Sequence, residues 1–201
     1  KIKKTAENQG AKILLTEVEE VNLTGKIKEV KTKDGIFFGK TVVVATGAQH
    51  RKLGIDNEEQ LVGKGVSYCA TCDGMFYKNK TVAVVGGGNS AISDALYLSK
   101  ICKKVYIIHR RDKLRATKVY QLHLEKTLNV EILWNSTVEK LLFDDKLNGV
   151  KIHGNKFYEL PCDGLFISIG RRPETELFKN QLKLDDYGYI ISDETTKTNI
   201  D

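Results

Sequence analysis

The chain is 201 residues long and carries 32 Lys and Arg against 26 Asp and Glu, a formal net charge of +6. Its 41% hydrophobic and 29% charged residues are a globular mixture, which argues against global disorder. No apolar run approaches the ~20 residues of a membrane helix, Lys1-Ile2-Lys3-Lys4-Thr5-Ala6-Glu7 has no apolar core to act as a secretory signal, and four Cys are too few for a disulfide-stapled secreted fold, which favours a reducing, cytoplasmic setting. A charge of +6 over this length is weak ground for a nucleic-acid partner.

The first ten residues read as the end of a helix, with Gly10 at the left-handed cap. A strand-like run, Ala11 to Leu15, follows. Residues 17–23 and 27–31 then alternate with period two, separated by turn signals at Thr24-Gly25 and Asp34-Gly35. Thr41-Val42-Val43-Val44 is a β-branched run of the kind buried on both faces. Beyond it, Lys80 to Val85 predicts a strand. Ala91 onward predicts a helix, with Ile92, Ala95, Leu96 and Ser99 on one face, and Val105–Ile108 predicts the next strand. That is a βαβ unit, and it implies an α/β fold with a parallel sheet and a right-handed crossover. A helix over 116–128 and strands at 130–134, 137–143, 149–152, 157–160 and 165–169 complete the pattern, and 185–201 is turn-rich. No tandem repeat or low-complexity tract occurs.

Gly86-x-Gly88-x-x-Ala91 lies between the predicted strand and helix, with Gly87, Asn89 and Ser90 inside it. The first Gly allows a tight turn, and the second lets the backbone approach a pyrophosphate. The helix N-terminus then offers N–H groups and partial positive charge to the phosphates. A turn that serves only packing is the alternative. It explains less, because strand, loop and helix all fit a dinucleotide fingerprint. The second strand runs into His109-Arg110-Arg111, with Arg115 four residues beyond Arg111. A carboxylate there would accept from a ribose hydroxyl and repel a 2′-phosphate. Guanidinium groups bind that phosphate, so the pattern favours NADPH over NADH. A solvated basic face is the bland alternative, and Asp112 keeps a ribose contact open.

Cys69-Ala70-Thr71-Cys72 is a Cys-x-x-Cys pair followed by Asp73. This spacing suits thiol–disulfide exchange, in which one thiolate attacks and the other resolves. Asp73 is placed to move the proton that such exchange requires. An inert buried pair and zinc are the competing readings, but for zinc no second Cys-x-x-Cys exists and His50, His109, His123 and His153 lack ligand spacing, so no metal is expected. Cys102 and Cys162 stand among apolar neighbours and read as core residues.

These segments in order, Cys69 to Gly74, Val84 to Ala91 and His109-Arg110-Arg111-Asp112, resemble the low-molecular-weight, bacterial-type thioredoxin reductases. Val42 to Ala48 and Leu165 to Pro173 add flavoprotein-like support. The resemblance implies a Rossmann-like, three-layer NADPH-binding domain over residues 53–178, inserted in a partial FAD-binding domain made of 1–52 and 179–201. It also implies hinges near 49–53 and 175–179. It implies an NADPH-dependent FAD enzyme that passes hydride to flavin, electrons to Cys69–Cys72, and then reduces thioredoxin or a thioredoxin-like protein. Asp73 would be the acid/base, and Gly86 to Ala91 with His109, Arg110, Arg111 and Arg115 would hold NADPH. Ile169 and Gly170 would flank the nicotinamide, and Thr46, Gly47 and Ala48 would lie by the flavin. The family's first FAD loop and its C-terminal flavin segment have no counterpart here, so the chain reads as a fragment of a homodimeric parent. The alternatives are a nucleotide-binding module without turnover and a flavin disulfide reductase serving a peroxidase.

Overall fold

The computed structural model describes residues 2–200. The chain folds as two compact units, one of residues 50–171 and the other of residues 1–49 with 172–201. Two short strands, β4 (Ala48–His50) and β13 (Arg171–Pro173), carry the chain across the boundary.

The inserted unit is α/β. Its five-stranded sheet is parallel throughout, in the order β5 (Val66–Ser67), β12 (Gly164–Ile167), β6 (Thr81–Val85), β7 (Lys104–Ile108), β8 (Val130–Leu133). Helix α3 (Asn89–Ser99) connects β6 to β7, and α4 (Lys118–Glu125) connects β7 to β8. The short α2 (Ala70–Asp73) follows β5. An antiparallel sheet of β9 (Thr137–Phe143), β10 (Leu147–His153) and β11 (Phe157–Pro161) makes the third layer.

Strand alternation builds both cores. Val82 and Val84 face α3, where Ala91, Ile92, Ala95 and Leu98 meet them together with Val105, Ile107 and Phe166. Ala83 and Val85 point the other way, with Ile108, Leu165 and Ile167, onto Val138, Leu141, Val150 and Ile152 of the antiparallel sheet. A strand covered on both faces must be apolar along its buried length, and β6 is from Val82 to Val85. Ile107 is completely buried, so Ile107→Ala should cost about 2–5 kcal/mol through the cavity it leaves. Helix α4 is shorter than its apolar pattern. The Ala116 N–H is taken by the Gly87 carbonyl at 3.1 Å, and Thr117 adopts an extended cap conformation that starts the helix at Lys118. Cys102 and Cys162 are buried core residues, as their neighbours imply, and burial pushes their thiols up to about 11 and about 12.

The other unit opens with α1 (Ile2–Asn8). Gly10, with φ of 87°, ends it. The Ala11 N–H reaches back to the Ala6 carbonyl and the Gly10 N–H to that of Glu7. Strands β1 (Val18–Asn22), β2 (Lys28–Thr32) and β3 (Gly35–Gly39) form an antiparallel sheet. Its cluster is small: Val21 and Leu23 with Phe178 and Leu182. Two expected strands do not form. Ala11 to Leu15 and Thr41 to Val44 take part in no ladder among the described residues, and Leu15 and Val43 are 90% and 88% exposed. A strand is defined by its pairing. β-branched side chains favour that pairing but do not supply the partner.

Candidate active site

The strand-to-helix turn after β6 is built by what its glycines lack. Gly86 has φ of 149°, and a Cβ there would lie 2.5 Å from the Ser168 carbonyl oxygen and 2.7 Å from Ala91 Cβ. A Cβ on Gly87 would run into the His109 ring. Gly88 is the extended N-cap of α3, and the helix's backbone bonding begins with the Ile92 N–H donating to the Gly88 carbonyl at 3.1 Å. The first-turn N–H groups of Asn89, Ser90 and Ala91 are therefore left to an acceptor from outside the helix, the arrangement that binds anions.

His109 is buried, and its Nε2 lies 2.9 Å from the Lys113 carbonyl, which can only accept, so that nitrogen carries the proton. Its ring supports the glycine turn from below and packs edge-on against Trp134. Arg110, Arg111 and Arg115 are exposed. Arg115 is placed by its backbone: its N–H donates to the Gly87 carbonyl at 2.8 Å, and Asn89 Oδ1 accepts from the Thr117 N–H at 2.8 Å. With the Ala116 N–H bond to the same Gly87 carbonyl, three bonds that no local motif announces tie the glycine turn to the basic segment.

Cys69 and Cys72 form a disulfide with Cα atoms 5.3 Å apart. Cys69 caps α2, its sulfur accepting from the Cys72 N–H at 3.2 Å. Cys69 is half-buried and Cys72 exposed. The Asp73 carboxylate accepts from the buried Ser67 hydroxyl at 2.7 Å. Immediately beyond, Met75 and Phe76 are 60% and 76% exposed.

The disulfide segment and the N-terminal half of α3 line one cleft of about 310 Å³ within residues 50–171. Its lining includes Cys69, Ala70 and Thr71, Ser90, Ser93 and Asp94 of α3, and Ile167 and Ser168. Asp94 accepts from the Ser168 hydroxyl at 2.5 Å. Burial raises its carboxyl above the ordinary 3.8, and the Ser168 bond opposes the rise. Gly170, with φ of 103°, also lines the cleft, while Ile169 packs against the core. Tyr68 and His50 also line the cleft, stacked with ring centroids 5.2 Å apart. The buried Glu58 accepts from the Tyr68 hydroxyl at 2.6 Å and from the Leu53 and Gly54 N–H groups at 3.0 and 2.8 Å, which offsets its burial. Burial first and Glu58 second raise the Tyr68 hydroxyl pKa. In the other unit Thr46, Gly47 and Ala48 are exposed. Thr46 Oγ1 donates to the Glu174 carbonyl at 2.5 Å, and the Glu174 N–H donates to that of Gly47 at 3.0 Å.

A glycine turn between strand and helix of a parallel sheet, with a Cys-x-x-Cys disulfide in the same α/β unit, is the arrangement of a class of disulfide oxidoreductase. The sequence profile described as pyridine nucleotide-disulphide oxidoreductase matches residues 2–201, and the chain belongs to that family. Its relatives there include the thioredoxin reductase of Streptomyces coelicolor, 46% identical over 200 residues, covering 97% of this chain and 62% of the relative. The thioredoxin reductase of Peptoclostridium acidaminophilum is 39% identical over 210 residues, covering 100% of this chain and 67% of the relative. The crystal structure of Lactococcus lactis thioredoxin reductase aligns with a TM-score of 0.82 at 37% identity, over 96% of this chain and 65% of that one. The chain thus spans a little under two thirds of the Streptomyces protein's length.

Sequence reasoning missed Ser67, Asp94 and Ser168, and it missed the exposed Met75-Phe76 pair. None of the three polar residues carries a motif. Two adjacent large apolar residues directly after a Cys-x-x-Cys-Asp were a usable signal.

Proposed function

We propose that this chain is the nucleotide-binding and redox-active part of an NADPH-dependent, FAD-containing thioredoxin reductase. Its partner is thioredoxin or a thioredoxin-like protein, and the intact protein is a cytoplasmic homodimer. The observation that carries this reading is the shared cleft, lined both by Cys69 and by Ser90, Ser93 and Asp94 of α3. The 39–46% identity to thioredoxin reductases supports the choice of acceptor.

The residues fit a phosphorylated dinucleotide. Gly86, Gly87 and Gly88 let the backbone approach a pyrophosphate, and the N–H groups of Asn89, Ser90 and Ala91 meet it. Arg110, Arg111 and Arg115 take the 2′-phosphate, with His109 as the platform beneath. Ile169 and Gly170 border the nicotinamide end. Thr46, Gly47 and Ala48 are assigned to the flavin side. Bound FAD supplies the conversion between hydride and thiol–disulfide chemistry.

Two electrons and two protons open the Cys69–Cys72 disulfide to a dithiol. One cysteine thiolate then attacks the partner's disulfide and forms a mixed disulfide. The first partner sulfur leaves as a thiolate and takes a proton. The second cysteine displaces the other partner sulfur, which also takes a proton, and Cys69–Cys72 is restored. Asp73 holds and returns the protons at the cysteine sulfurs. The Cys72 N–H donates to Cys69 Sγ at 3.2 Å and holds that sulfur at the start of α2. Met75 and Phe76 give an apolar contact for the protein partner beside the reacting sulfurs.

The test uses the full-length, FAD-loaded protein with NADPH and oxidised thioredoxin. Cys69→Ser and Cys72→Ser should each lower turnover roughly a thousandfold or more while NADPH still binds. Turnover that survives either substitution refutes the reading.

A further inference from the structure

Ser67 is the last residue of β5 and is 3% exposed. A hydroxyl buried there needs partners, and it has two beside the redox pair. It accepts from the Cys69 N–H at 3.0 Å and donates to Asp73 Oδ2 at 2.7 Å. It has one hydrogen to give, and the Cys69 carbonyl at 3.4 Å is a poorer acceptor than the carboxylate. The Asp73 N–H closes the ring by donating to that carbonyl at 3.1 Å. One buried hydroxyl therefore ties the backbone of Cys69 to the Asp73 carboxylate, six residues after Ser67 itself.

We propose that Ser67 is a positioning residue for the thiol–disulfide exchange, holding the Asp73 carboxylate in register with Cys69 and Cys72. The role rests on Asp73 being the group that exchanges protons with those sulfurs. Asp73 is only half-buried and ends a short helix, so without this bond its carboxylate is free to turn into water. When a cysteine sulfur leaves as a thiolate, protonated Asp73 gives it the proton and becomes a carboxylate. When a thiol attacks, the carboxylate takes the proton back. Ser67 keeps its own proton throughout and fixes where that transfer occurs. The rigid support is the parallel sheet, since Ser67 sits opposite Phe166 of β12.

The test is a double-mutant cycle on the full-length protein. Each variant is reduced with dithiothreitol, freed of reagent, and mixed with oxidised thioredoxin in a single turnover. Asp73→Asn should slow the reaction roughly a hundredfold, and Ser67→Ala roughly tenfold. Ser67→Ala added to Asp73→Asn should cost less than about twofold, because its effect passes through the carboxylate. Ser67→Thr keeps the hydroxyl and should stay within about threefold of the native rate. NADPH affinity should be unchanged in all four variants. If Asp73→Asn is as fast as the native protein, the assignment of Asp73 fails and the proposal falls with it. If Asp73→Asn is slow but Ser67→Ala is not, Asp73 stands and the proposal is overturned. It is overturned as well if Ser67→Ala slows both backgrounds equally, or if the Thr variant is as slow as the Ala variant.

Discussion

The two units of this chain solve the problem of covering a sheet differently. In residues 50–171 a parallel sheet is covered on one face by α3 and α4 and on the other by β9–β11, and Val82, Ala83 and Val84 are wholly buried. In the other unit the three-stranded sheet leaves β3 open. Ile36, Phe37 and Phe38 are 51%, 41% and 69% exposed, and among the described residues the unit's buried apolar cluster is Val21, Leu23, Phe178 and Leu182. Catalytic geometry demands groups fixed to within a fraction of an ångström. The disulfide, the glycine turn and the arginines all lie in the unit whose sheet is closed on both sides.

Amide exchange is the widest test of that contrast. Exchange should be slowest at residues 82–84 and 105–107 and fastest at 11–15 and 41–44, with rates differing by roughly a thousandfold or more. Equal protection in the two sets would erase the distinction. Within the closed unit, Arg110→Ala combined with Arg111→Ala should weaken NADPH binding roughly 10–100-fold and leave NADH within about twofold, read by titration of each nucleotide. An equal loss for both would move the 2′-phosphate site elsewhere. A smaller effect is expected at the exposed edge. Phe76→Ala should raise the KM for thioredoxin by roughly 3–10-fold without altering NADPH affinity.

The smallest expected effect is a dependence of stability on pH. Burial holds the Asp94 carboxyl above its ordinary 3.8 against the Ser168 bond. The folded chain thus binds this proton more tightly than the unfolded chain does. The stability it contributes is present below the ordinary value and is lost as pH rises through the raised one. Asp94→Asn cannot ionise, so its urea midpoint should gain on that of the native protein as pH climbs above 3.8. A constant difference between the two would show that Asp94 does not titrate in this range.

Much of the closed unit was legible because its signals are local. The run from Thr81 to Ile108 reads as strand, turn, helix and strand, and so it folds, since each step rests on neighbouring residues. The same logic misled at Ala11 to Leu15 and Thr41 to Val44. Their side chains favour strand, but a ladder depends on what lies alongside, and these runs lie in no ladder among the described residues. His109 shows the limit within a motif. Its position beside Arg110 and Arg111 gave no sign that its ring turns inward beneath Gly87, because that depends on how two strands stack.

Amino-acid order alone determined the βαβ unit, the glycine turn, the cysteine spacing and the excess of cationic over anionic groups after β7. All of these follow from backbone constraint and charge within a few residues. Only the tertiary structure decided that Cys69 lines one cleft with Asp94 and Ser168, that Arg115 hangs from Gly87, and that Ser67 clasps Asp73. Packing made those choices. Hydrogen bonds and burial between segments far apart in the chain are selected by the whole fold and leave no periodic trace in any one stretch of it.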